Sequence, residues 1–207
     1  MKITMKARLT TVKSTLLAFA TPIHQVRYDG LGEFNAEVGR RILALREQSP
    51  GQQNSNQGGW QSEKDLLSKL GEPYGTQLAR MFVENVRAAM ESVVELTEPA
   101  QEKLSMDAWA NVNLRGNSHA LHIHPGCPWS GSYYVAAEPN SAGEIYFIDP
   151  RTSALMNNHP LNPFNATNHI SIAPAPGMML VFPSFVFHGV RPYEGTAPRI
   201  SIAFNLR

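Results

Sequence analysis

Ala120-Leu121-His122-Ile123-His124-Pro125, answered far downstream by Phe187-His188-Gly189-Val190, is the stretch whose reading decides the fold. Successive side chains of a β-strand alternate faces, so His122 and His124 are expected to point the same way, with Cα atoms about 6.6 Å apart. Imidazole nitrogens bind first-row metals at roughly 2.0–2.1 Å, so two rings leaning together from that spacing can share one ion. A third donor must come from elsewhere, and His188 is expected to end a second apolar strand. The pattern points to a metal centre in a β-barrel.

Working outward, the neighbouring segments keep the two-residue period. Leu104, Met106, Ala108, Ala110, Val112 and Leu114 alternate with Ser105, Asp107, Trp109, Asn111 and Asn113, a strand with two different faces. Further strands are expected over 131–137, 143–148, 169–173, 178–182, 185–190 and 199–206, separated by Pro/Gly turns such as Pro174-Ala175-Pro176-Gly177. Short strands at close spacing are the mark of a closed or double-sheet architecture, here a jelly roll. A long Asn/Pro-rich connection, 151–168, interrupts them.

The first half has helical period instead. Phe34, Val38, Ile42 and Leu45 form one stripe over 31–48. A short helix is expected over 63–70, capped by Ser62, and a longer one over 75–98, where Leu78, Phe82, Val86, Ala89, Val93 and Leu96 align before Pro99. A first strand is expected over 16–26. The whole reads as one domain, 1–207, mostly β with a helical N-terminal part (α+β): residues 1–103 buttress a jelly-roll core, 104–207.

Composition narrows the function classes. With a net charge of +1 and 17% charged residues, the chain has no basic stripe for nucleic acid, and no apolar run of membrane-spanning length. The basic residues before Leu16-Leu17-Ala18-Phe19-Ala20 are not expected to make a secretory signal, since the apolar run is short and Lys13 with Ser14 interrupts it. One cysteine, Cys127, forms no internal disulfide, which favours a reducing, cytoplasmic setting.

Taken in order, His122-Ile123-His124-Pro125, Ser130-Gly131-Ser132-Tyr133-Tyr134-Val135, Asp149-Pro150-Arg151, Phe182-Pro183-Ser184 through His188-Gly189-Val190, and Arg199-Ile200-Ser201-Ile202-Ala203-Phe204-Asn205 resemble the 2-oxoglutarate and iron(II)-dependent oxygenase superfamily. More closely, they resemble a group of its oxygenases of unassigned substrate. The resemblance implies a double-stranded β-helix with iron(II) at its mouth, 2-oxoglutarate as co-substrate, and hydroxylation of a substrate C–H with release of succinate and CO2. It makes His122 the first ligand and His188 the distal one. His124 stands where the superfamily usually has Asp or Glu. The alternative is that His124 lies behind the ligands and Asp107 or Asp149 supplies a carboxylate.

Arg199 opens a strand on which Arg199, Ser201, Ala203 and Asn205 share one face, while Ile200, Ile202, Phe204 and Leu206 share the other. A guanidinium clamps a carboxylate by two parallel hydrogen bonds, so Arg199 is the candidate for the distal carboxylate of 2-oxoglutarate, with Ser201 beside it. Tyr134 resembles the family's tyrosine at that carboxylate, although the sequence leaves open whether Tyr133 or Tyr134 faces inward. Asn113 is a further candidate from the neighbouring strand. Trp60 and Trp129 are candidates for the substrate mouth, Phe182, Phe185 and Phe187 for packing the barrel end, and His24, His119, His159 and His169 are expected to face solvent. The substrate is a small molecule or a protein side chain, and the resemblance implies barrels that often pair through their helical side. Two rival readings are a cupin-like three-histidine metalloenzyme without 2-oxoglutarate and a non-catalytic metal- or ligand-binding jelly roll.

Overall fold

A computed structural model describes residues 20–93, 105–151 and 168–207. Two antiparallel sheets face each other. The larger has the order β1 (His24–Arg27), β9 (Met178–Pro183), β6 (Trp129–Ala136), β11 (Arg199–Leu206), β4 (Met106–Asn113), β3 (Trp60–Gln61). The smaller runs β2 (Asn56–Gln57), β5 (Ser118–His122), β10 (His188–Val190), β7 (Ile145–Ile148), β8 (His169–Ile172). This is the expected double-stranded β-helix. Among the described residues three helices, α1 (Gly32–Gln48), α2 (Leu66–Leu70) and α3 (Tyr74–Glu91), lie in the first half.

The helices cover the outer face of the larger sheet, and strand alternation explains why. From β11, Ile200, Ile202, Phe204 and Leu206 meet Val38 and Ile42 of α1 and Leu78, Phe82 and Val86 of α3 in one apolar cluster. Phe82 and Phe204 stack at 4.1 Å between ring centroids. Gly131 on β6 makes room for that stack, because a Cβ there would stand 2.2 Å from Cζ of Phe204. The opposite, inward face carries a smaller cluster in which Leu180, Phe182, Ile145, Phe147 and Val186 surround Tyr134. The polar face of β11 is left to line the space between the sheets.

Several expectations need correction. The short helix begins at Leu66, and Ser62 does not cap it: its hydroxyl donates to Glu63 O and accepts from Ala110 N, tying this segment to β4. The long helix ends at Glu91; Leu96 and Pro99 lie outside the described residues. So do residues 16–19 of the expected first strand, together with His159 and nearly all of the 151–168 connection; of the strand's described residues only 24–26 are extended into β1, and 20–23 are not strand. His188 begins β10 rather than ending a strand. The chain turns at Ser184–Val186 first, so Phe182 is buried while Phe185 and Phe187 point outward, 59% and 48% exposed. Among the described residues no helix is long and apolar enough to cross a membrane.

Candidate metal centre

His122 closes β5 and His188 opens β10, directly across the antiparallel pair. Each ring turns its Nδ1–H back to the carbonyl two residues earlier: His122 to Ala120 at 2.8 Å and His188 to Val186 at 2.9 Å. A carbonyl only accepts, so Nδ1 carries the proton and Nε2 keeps its lone pair for the space between the sheets. His124 lies just beyond β5. Its backbone N–H donates to Ser184 O at 3.0 Å, and its carbonyl accepts from Cys127 Sγ at 3.3 Å. Trp109 flanks its ring at 5.6 Å.

The three rings offer donor atoms that all lie within 4.8 Å of one another. Nε2 of His124 and Nε2 of His188 are 3.2 Å apart. Two nitrogens bound at about 2.1 Å to one ion, at a right angle or slightly more, are separated by about 3.0–3.2 Å, so the donor set fits a shared first-row metal. Burial makes the rings ready ligands. It drives His188 down to about 3, assisted by His122, and His124 down to about 4, assisted by His122 and Lys64. Burial also lowers His122, against the pull of its carbonyl partners. All three are neutral near pH 7. Neither carboxylate alternative reaches them: Asp107 pairs with Arg207 at 3.0 Å and Asp149 with Arg151 at 2.6 Å.

The cavity beside the imidazoles has a volume of about 580 Å³. Arg199 reaches into it from the first position of β11 and is only 1% exposed. Among the described residues no carboxylate accompanies it. Nη1 donates to Asn113 Oδ1 at 3.2 Å and weakly to Ser201 Oγ at 3.4 Å, while Nε has no partner. Its guanidinium lies 5.1 Å from the Tyr134 ring centre. Burial raises the Tyr134 phenol, and Arg199 pulls it back; yet the two approach without closing a hydrogen bond, and the phenol oxygen is also left unpartnered. A buried cation costs several kcal/mol unless an anion answers it. Unpartnered donors converging on one cavity therefore describe a cradle for a carboxylate, and 2-oxoglutarate suits it chemically.

Of the residues expected from sequence, His122, His124, His188, Arg199, Ser201 and Tyr134 come together around this cavity. Tyr134 pairs with Ser201 across the sheet, whereas Tyr133 pairs with Ile202, faces the helices and donates to Asn35 Oδ1 at 2.7 Å. Asn113 is buried behind Arg199 rather than lining the cavity. Trp60 and Trp129 are not at the mouth. Both face the helix-side core, and the Trp60 indole N–H donates to Ser49 O at 2.9 Å. The expectation for His119 also fails. It is buried, lines the cavity, and its Nε2–H donates to Asn113 Oδ1 at 3.3 Å; burial, then Arg199, lowers it to about 3. Ser55, unremarked in the sequence, has its hydroxyl 3.4 Å from both His119 Nδ1 and His122 Nε2. His24 and His169 lie elsewhere, half-buried, against Asn85 and Arg191.

Comparison with known proteins follows the same lines. Residues 107–205 match the model of a family described as "Putative 2OG-Fe(II) oxygenase". The fold is similar to that of a prolyl-4-hydroxylase from Pseudomonas putida (13% identity, TM-score 0.60, 89% of this chain and 91% of that one). It is also similar to a prolyl hydroxylase from Trichoplax adhaerens solved with a hypoxia inducible factor peptide fragment (16%, 0.58, 89% and 82%). A third similar structure is HygX from Streptomyces hygroscopicus with nickel and 2-oxoglutarate bound (15%, 0.54, 90% and 82%). No curated protein matches the chain.

Proposed function

We propose that the protein is a 2OG-Fe(II) oxygenase of hydroxylase type, a reading supported by the match of residues 107–205 to that family's model, and that its metal is held by His122, His124 and His188. Iron(II) and 2-oxoglutarate are its cofactor and co-substrate. When bound, they supply the oxidative decarboxylation of the oxoacid to succinate and CO2 that drives oxidation of a substrate C–H.

The chain's own residues supply position and charge. Three neutral imidazoles leave the ion's two positive charges for the dianionic oxoacid to balance. Arg199 is the partner of the distal carboxylate, with the Ser201 and Tyr134 hydroxyls beside it. Asn113 acts through Arg199, holding one guanidinium nitrogen so that the remaining N–H groups face the cavity. The apolar wall of Ile145 and Phe182 keeps water from the inner end. The substrate is a small molecule or a protein side chain; two of the similar structures are prolyl hydroxylases, and one of those was solved with a peptide. A cytoplasmic setting rests on the single thiol, Cys127. Pairing of two chains through the helical face is the proposed assembly, which sedimentation tests.

The observation that carries the reading is Arg199, buried without a carboxylate in the cavity where three imidazoles meet. Mixing the protein anaerobically with iron(II) and 2-oxoglutarate is expected to give a visible metal-to-ligand charge-transfer band. In Arg199→Gln, half-saturation by the oxoacid should need about 100-fold more of it. Bound iron with no band at saturating oxoacid would overturn the proposal.

A further inference from the structure

The cavity runs along β11, and cross-strand pairing divides it into rows. Arg199 stands beside Asn113; Ser201 lies between Asn111 and Tyr134; Ala203 lies between Trp109 and Ser132. Because Trp109 flanks His124, that imidazole stands near the Ala203 row. That row is about 14 Å from the Arg199 row, at about 3.4 Å per residue. An oxoacid between the imidazoles and Arg199 would take the Tyr134 side of these rows, where the guanidinium lies, and a volume of about 580 Å³ leaves room for a second small molecule on the Asn111 and Gln61 side.

That side has its own recognition chemistry. β3 runs along the edge of β4, and just past it the Lys64 carbonyl accepts from Ala108 N at 3.0 Å, which sets Lys64 at the rim beside Trp109. No carboxylate among the described residues pairs with Lys64. Among the described residues no Asp or Glu lines the cavity; the permanent charges that do are Lys64, Arg199 and Arg207, and Arg207 is already tied to Asp107. One row inward, Asn111 is 5% exposed with its Oδ1 unpartnered, and Gln61 stands opposite it in register, also buried. A buried acceptor without a donor calls for an N–H from a ligand.

Resting on the oxygenase reading above, we propose that the substrate is a small carboxylic acid of amino-acid type, its carboxylate held by Lys64 at the rim and a neighbouring N–H donated to Asn111. The net positive lining draws in such an anion, and no acidic side chain in the cavity wall repels it. Arg199 and Lys64 divide the work: the buried cation takes the oxoacid, the rim cation the molecule to be oxidised.

The test uses protein loaded with nickel(II), which halts turnover, and saturating 2-oxoglutarate. Ligand-observed NMR then compares N-acetyl amino acids with the matching C-terminal amides. The acids are expected to bind at least about ten-fold more tightly, a difference of about 1.4 kcal/mol. Lys64→Gln should erase that preference and Lys64→Arg should restore it, with oxoacid affinity kept in both. Acids and amides that bind alike, acids that fail to bind, or a preference that survives Lys64→Gln would each overturn this inference alone. Failure of the wild-type protein to bind 2-oxoglutarate would instead remove the oxygenase reading on which it rests.

Discussion

The two faces of β11 follow opposite rules. Ile200, Ile202, Phe204 and Leu206 are packed against the helices with no space left, to the point that β6 needs a glycine opposite Phe204. One residue over, Arg199 keeps a buried polar atom without a partner, and Asn111 and Tyr134 on the flanking strands do the same. Stability is concentrated on the first face. Unsatisfied hydrogen-bonding capacity is concentrated on the second, and that is the condition for binding polar ligands tightly. A single strand can hold both because its side chains alternate.

The sharpest way to break the comparison is to damage the packed face and ask whether the site follows. Phe204→Ala removes the ring stacked on Phe82 and is expected to cost about 3–5 kcal/mol in unfolding free energy. Oxoacid affinity of the molecules that remain folded should be unchanged. Denaturant titration and calorimetry on the same sample check both halves.

Acidification acts on the other face. His119 and His188 stand at about 3 and His124 at about 4 in the folded protein, against about 6.5 for a free imidazole. Between those limits the unfolded chain binds more protons than the folded one, so stability falls as pH falls. The metal-free protein is therefore expected to lose Tm steadily from about pH 6.5 down to about pH 4. A flat Tm across that window would show that these imidazoles are not held neutral.

The smallest effect sharpens the division within the polar face. Asn113→Ala frees the guanidinium nitrogen that Asn113 accepts from, and it removes the partner of His119. Oxoacid affinity is expected to fall by about ten-fold, as for other outer partners of a ligand-holding group, with metal affinity nearly unchanged. Parallel titrations with nickel(II) and with 2-oxoglutarate separate the two.

Much of this arrangement was legible beforehand. Period-two alternation put Arg199 and Ser201 on one side of β11 and Ile200 and Phe204 on the other, and the His-x-His pair with a late histidine indicated the cluster. His119 was not legible, for a definite reason. Between His122 and His119 the chain advances three residues while β10 advances two, from His188 to Val190. The extra residue is a bulge that reverses the parity of β5, so His119 and His122 both face the cavity. Lys64 and Asn111 were equally hidden, since their joint position depends on β3 and its extension lying along β4. Trp60 and Trp129 misled because aromatic residues near glycines suit a mouth or a core equally well.

What the sequence determined alone is which side chains share a face, because alternation along a strand is a local consequence of backbone geometry. It also determined the chemical inventory: imidazoles, one arginine on a polar face, and apolar stripes to bury. Only the tertiary structure decided which strands are neighbours, where a bulge changes parity, and that Tyr134 rather than Tyr133 opposes Ser201. Those facts arise from hydrogen-bond register between segments distant in the chain, and the periodicity of one segment carries no record of its partner's register.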